Sequence, residues 1–230
     1  MKVVHPPEKK RKRAPSARAL ATKLRVYDAA EKVFAQRGYD GATIRDIAAE
    51  AGEPVGTIHH HGGGKNALFH RIVARRAETL SHDRLEALKQ VQSEGDPTLE
   101  RVLSAFIRPF SDLAAADPRW RDYARLVAFV SADSRWRDIS TACFDPVAEV
   151  FVDEIVKLLP ATSRKLVVEG FVYSVSAMLA LLTSQDRMGA LGAGLELEGS
   201  QTDNLVRFCA AGFRAISRES TKSLHAILDT

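Results

Sequence analysis

The sequence predicts an all-α fold, and three observations carry that prediction. Apolar residues recur at spacings of three and four through most segments, while no stretch keeps the alternation of a half-buried strand. Clusters of Gly and Pro, such as Gly95-Asp96-Pro97, punctuate the periodic runs. The composition, 45% hydrophobic and 27% charged, is that of a globular chain able to bury a core.

Taken in order, residues 1–15 hold Lys9–Arg13 (KKRKR) among Pro6, Pro7 and Pro15, the composition of a disordered basic arm. A helix is expected from Ser16 to Arg37, with Val26, Tyr27, Ala30, Val33 and Phe34 on one face and Gly38 as its stop. Two short helices follow within residues 43–61. A longer one runs from Asn66 to about Lys89, and Gly95-Asp96-Pro97 ends it. Helices are then expected over Thr98–Ala116, Pro118–Val130, Arg135–Leu159, a segment capped by Thr162/Ser163 and running to Gln185, and Asp203–Ser217. Met188–Gly199 reads as a loop, and 220–230 as a fraying end.

Charge divides unevenly along this series. Residues 1–76 carry 16 Lys+Arg against 7 Asp+Glu, a net of +9; residues 77–230 carry 17 against 22, a net of −5. Only the first third is suited to meeting a polyanion.

Within that third, Thr43–Lys65 has the pattern of a helix-turn-helix. Thr43 and Asp46 form a capping box, and Ile44, Ile47 and Ala48 give an apolar face. Small Ala48 allows close helix approach, Gly52 accepts a left-handed turn, and Ile58 packs back on Ala48. The second helix, Val55–His61, is the one such a unit places in the DNA major groove.

Residues 22–69 also resemble the DNA-binding domain of the TetR family of bacterial transcriptional regulators. The matching features are Ala29-Ala30, Phe34, Gly38-Tyr39, Thr43, Ile47-Ala48, Ala51-Gly52, Gly56-Thr57-Ile58, His61, Lys65 and Ala67-Leu68-Phe69. The resemblance implies an N-terminal three-helix helix-turn-helix domain followed by a C-terminal helical ligand-binding and dimerisation domain, about nine helices in all. The divisions expected are an arm at 1–15, the DNA-binding domain at 16–64, a connecting helix at 65–89 and the second domain at 90–230.

It also implies roles. Thr43 and Arg45 would meet phosphates, Val55, Gly56, Thr57, His59 and His60 would face the groove, and Lys65 would hold a phosphate. Three departures from the family pattern have consequences. Glu53-Pro54 supplies no side-chain cap and brings a negative charge near DNA, and His59 stands where the family has Tyr. Gly62 replaces an aromatic that pins the recognition helix, so a looser junction is expected. Protonation of His59 or His60 below about pH 6.5 would strengthen DNA binding.

In the second domain, Trp120, Tyr123, Phe144 and Phe171 are the candidates for lining an effector pocket, with Arg125 as anchor for an acidic headgroup. The effector expected is small and apolar or amphipathic. Small residues at Gly170, Ser174 and Ala177, with Leu181 and the last helix, suggest the interface of a homodimer that reads a palindromic operator in double-stranded DNA.

Other classes fit poorly. No Ser/His/Asp motif, phosphate loop, zinc spacing or Glu-x-x-His suggests an enzyme, and no cofactor is implied. His59-His60-His61 cannot converge on one metal ion, because successive helical residues point about 100° apart. Cys143 and Cys209 read as free thiols in a reducing cytoplasm. No apolar run of eighteen residues suggests a membrane span. The reading is a cytoplasmic, ligand-responsive DNA-binding regulator, a repressor by preference. The alternative is a sensor acting through a protein partner, its DNA binding weakened at Gly62–Gly64.

Overall fold

A computed structural model describes residues 16–192 and 198–228, and their side chains over 16–192 and 201–218. The arm expected at 1–15 lies outside the described residues. Among them there are eleven α-helices, one 3₁₀ turn and no strand.

The first helix, α1 (Ala17–Gly41), starts where Ser16 accepts from the Ala19 amide. Gly38, at φ +67, breaks its regular course as the sequence suggested, and one further helical turn reaches Gly41. α2 (Ile44–Ala51) and α3 (Val55–Gly62) pack on α1, and α4 (Lys65–Ser93) runs from their edge deep into the rest of the molecule. Its 29 residues correspond to about 43 Å of helix.

α5 (Leu99–Ala116) is capped by Thr98 and packs along α4. After α6 (Arg119–Ala132), the single helix expected over Arg135–Leu159 is three pieces: the 3₁₀ turn Ser134–Trp136, α7 (Arg137–Cys143) and α8 (Asp145–Leu158). Pro146 explains the second break, since proline starts helices and cannot continue one. α9 (Arg164–Thr183) is capped by Ser163. The expected loop begins with a short helix, α10 (Gln185–Ala190), and the last helix is longer than expected, α11 (Glu198–Leu228).

α9 is a single 20-residue helix of mean hydropathy 1.8, long and apolar enough by length and composition to cross a membrane. Seven of its residues, Val167 and Phe171 among them, are buried within the chain. The small residues expected to meet a second chain are partly used inside this one. A Cβ on Gly170 would come within 2.7 Å of the Phe213 ring, and Ser174 and Cys209 are buried between α9 and α11. What α9 and α11 leave exposed is a different apolar set: Val168, Val172, Tyr173 and Phe208.

One buried cluster runs from Val26 to Phe213, so the N-terminal helices share a core with the remainder. Trp136 is the wedge between them. Its ring centroid lies 4.6 Å from both Tyr39 and Phe69. Beside it, Arg135 donates to Asp40 at 2.9 and 3.2 Å, which holds the Asp40 carboxyl below its usual range.

Candidate nucleic-acid interface and effector cavity

The Thr43–Asp46 capping box forms in full. The Asp46 amide donates to the Thr43 hydroxyl at 3.1 Å, and the Thr43 amide donates back to the Asp46 carboxylate at 2.9 Å. The Thr43 hydroxyl, which also donates to that carboxylate at 2.7 Å, then the Thr43 amide and Arg37 hold the Asp46 carboxyl low. Gly52 turns the chain at φ 63, ψ 31, and the Glu53 amide closes on the Ala48 carbonyl at 3.1 Å. α3 has no side-chain cap, as Pro54 led one to expect. Ile58 is fully buried, which fixes the face α3 turns outward.

That outward face carries Val55, Gly56, His59 and His60, all exposed, with Thr57 half-buried at its edge. A Cβ on Gly56 would meet nothing within 4 Å, so the fold itself has no need of glycine there. Thr43 and Arg45 are exposed on α2, and no acid pairs with Arg45 among the described residues. Lys65 stands in the first turn of α4, its ammonium 4.5 Å from the Tyr39 ring centroid and 3.4 Å from the Asp40 carbonyl. His61 is half-buried, and desolvation, with His60 and Lys23 adding to it, lowers its pKa.

Two sequence expectations change here. Glu53 does not bring a bare charge to α3, because Arg25 donates to it at 2.5 Å from α1. Nor is the junction at Gly62 open. Leu68 fills the space, so that a Cβ on Gly62 would fall 3.0 Å from its Cδ1. The His61 carbonyl accepts from Arg71 at 2.8 Å, and Gly63 bends the chain at φ 75.

A cavity of about 290 Å³ lies among α4 to α9. Of the residues named from the sequence, Phe144 and Phe171 line it, together with Phe106, Phe110 and Met178. Trp120, Tyr123 and Arg125 do not. Trp120 packs against Phe110, and the buried Tyr123 hydroxyl donates to the Val73 carbonyl at 3.0 Å. Arg125 is exposed and pairs with Asp122 at 2.7 Å. Sequence reasoning missed the cavity's arginine, Arg84, which is 7% exposed. A signal was present, since Arg84 interrupts the apolar stripe Ile72–Leu80–Leu88 at four-residue spacing.

Comparison with known proteins agrees with this geometry. A family model described as "Bacterial regulatory proteins, tetR family" matches residues 26–72, and one described as "Tetracyclin repressor-like, C-terminal domain" matches residues 104–212. The chain belongs to the TetR family. TetR-family proteins are regulators, so this chain is not an enzyme. It is similar to the HTH-type transcriptional repressor AcnR of Corynebacterium efficiens, 34% identical over 100 residues, which are 42% of this chain and 52% of that protein. Similarity to the HTH-type transcriptional regulator TtgR of Pseudomonas putida is 34% over 79 residues, 34% of this chain and 37% of that one. The matches thus span about half or less of these relatives' length.

Among solved structures, the fatty acid degradation regulator FadR of Bacillus halodurans aligns with a TM-score of 0.57 at 15% identity, covering 89% of this chain and 99% of that one. A TetR-like transcriptional regulator from Rhodococcus sp. RHA1 aligns at 0.54 and 20%, covering 88% and 99%. At such identities the likeness is one of fold.

Proposed function

We propose that this chain is a DNA-binding transcriptional repressor that acts in the cytoplasm as a homodimer on a palindromic operator and is released by a small apolar or amphipathic effector. The observation that carries the reading is the outward face of α3. Val55, Gly56, His59 and His60 are held exposed on a helix anchored by Ile58, in the basic third of the chain.

Charge bookkeeping refines the interface. Arg25, Lys32 and Arg37 of α1 are spent on Glu53, Glu50 and Asp46, so phosphate contacts fall to Arg45, Lys65, the N-terminus of α2 and the basic arm. Base discrimination falls to Thr57, His59 and His60. The cavity is the effector's place, with Phe144 and Phe171 in its wall. α4 links the two, as it touches α3 at one end and the cavity at Leu80 and Arg84. An effector acts only by its differential affinity for the two spacings of the recognition helices.

Dimerisation would cover Val172, Tyr173 and Phe208 on α9 and α11, and it sets two α3 helices about 34 Å apart along DNA. The alternative, a sensor with DNA binding weakened at Gly62–Gly64, is less favoured, because Leu68 occupies the space beside Gly62. The test is an electrophoretic shift with DNA upstream of the chain's own gene at about 0.15 M salt, alongside sedimentation equilibrium. A specific shift by wild type, lost in a monomeric Phe208→Glu variant, is expected. Monomeric wild type that shifts DNA equally well would refute the dimer.

A further inference from the structure

We propose that the effector cavity takes a small monoanionic acid with an apolar body, its anionic end held by Arg84; this rests on the effector-release reading above. Arg84 lies on α4, 93% of its surface removed from solvent, on the wall of the 290 Å³ cavity. Its guanidinium presents five N–H donors, and few of them are used. Nε donates to the Phe106 carbonyl at 2.9 Å, Nη2 reaches the soft Met178 sulfur at 3.4 Å, and the group stacks 3.7 Å from the Phe106 ring centroid. Among the described residues no carboxylate pairs with it. Asp145, the acid of the cavity lining, is itself exposed at the start of α8.

A buried cation without an acid is costly, and proteins ordinarily pair such groups. Burial pushes the Arg84 guanidinium down to about 9, which still leaves it charged at neutral pH. Its stacking face is occupied by Phe106 and its Nε by the Phe106 carbonyl. Nη1, without a hydrogen-bond partner among the described residues, and the second Nη2 hydrogen remain for a carboxylate. Most of the remaining wall is apolar, with Phe110, Phe144 and Phe171 available to an aliphatic or aromatic body and Ser131, Ser140, Ser176 and Asp145 as its polar members. In volume the cavity is about twice the ~150 Å³ that accepts a benzene ring, so the ligand has on the order of a dozen heavy atoms. Arg84 sits nineteen residues along α4 from Lys65, so an anion bound there acts on the helix that borders α3.

The test is isothermal titration of the full chain near neutral pH with three acids, decanoate, 4-phenylbutyrate and 2-naphthylacetate, each against its own neutral alcohol. At least one acid should bind tenfold or more tightly than its alcohol, because a site built to pair an anion rejects the analogue that lacks it. Arg84→Met should erase that preference while alcohol binding persists, and Arg84→Lys should keep part of it. If no acid outperforms its alcohol on wild type, the proposal is overturned, whether or not the Met variant folds. A preference that survives in folded Arg84→Met overturns it as well. No DNA enters this titration, so its failure leaves operator binding standing, and absence of operator binding leaves acid binding readable.

Discussion

Arg76 holds Glu31 across the α1–α4 boundary, its Nε 2.9 and 2.7 Å from the two carboxylate oxygens, with both residues buried. The same guanidinium lies 4.8 Å from the Trp120 ring centroid on α6, so one cation ties three helices. Burial outweighs the attraction of Arg76 and Arg75 and holds the Glu31 carboxyl above its ordinary range. Arg76→Met strands that carboxylate and should cost about 3–5 kcal/mol, toward the lower end because Arg75 remains 3.5 Å away. The double variant Glu31→Leu/Arg76→Met should recover most of the loss in denaturant titration. Additive losses would show that the two groups are not coupled.

Trp136 carries the packing between the N-terminal helices and the rest. Trp136→Ala removes a buried ring lodged against Tyr39 and Phe69 and should cost about 3–5 kcal/mol. Arg135→Ala breaks exposed pairs with Asp40 and Asp133 and a distant contact with the Trp136 ring, and should leave the thermal midpoint nearly unchanged. A large drop for Arg135→Ala, with little for Trp136→Ala, would reverse the assignment.

Two glycines near the recognition helix should respond in opposite ways. Gly56→Ala meets open space, so folding should gain from a few tenths to about 1 kcal/mol while DNA binding weakens through loss of close backbone approach. Gly63→Ala is forced to φ 75, ψ −144, with its Cβ 3.3 Å from that of Ala67, and should lose about 1–3 kcal/mol. Thermal melts and DNA titration of both variants check this. Unchanged DNA affinity in Gly56→Ala would remove that residue from the interface.

His61 gives stability a pH dependence of known sign. Its folded pKa is lowered by desolvation, so the folded state binds fewer protons than the unfolded one below about pH 6.5. Its contribution is complete above that pH and is lost as pH falls through the lowered folded value. Melts between about pH 5 and 7.5 should show a decline that His61→Gln flattens; an identical decline in the variant would assign the effect elsewhere.

Local chemistry was legible in the sequence and long-range partnership was not. The Thr43–Asp46 box, the Gly52 turn, buried Ile58 and the Ser163 cap follow from residue type and short spacing, while Ser16 and Thr98, read as the first residues of their helices, are the caps that precede them. Pro146 marked a break that the strong apolar period around it concealed. Apolar stripes hid Glu31, Arg76 and Arg84, because an ionic residue at a core position has meaning only once its partner is known. Leu68 occupying the space beside Gly62, and Phe213 the space at Gly170, are tertiary choices that spacing does not encode. For the same reason the apolar faces of α9 and α11 did not reveal which side meets its own chain.

The central claim, that α3 reads DNA sequence, is tested most directly by equilibrating the protein with a pool of short genomic fragments at about 0.15 M salt and sequencing what is retained. Recovery of a palindromic motif, lost on Thr57→Ala while the fold is kept, is the predicted result. Retention of fragments without a common motif, with a steep salt dependence unaffected by Thr57→Ala, would contradict it and assign the binding to charge alone.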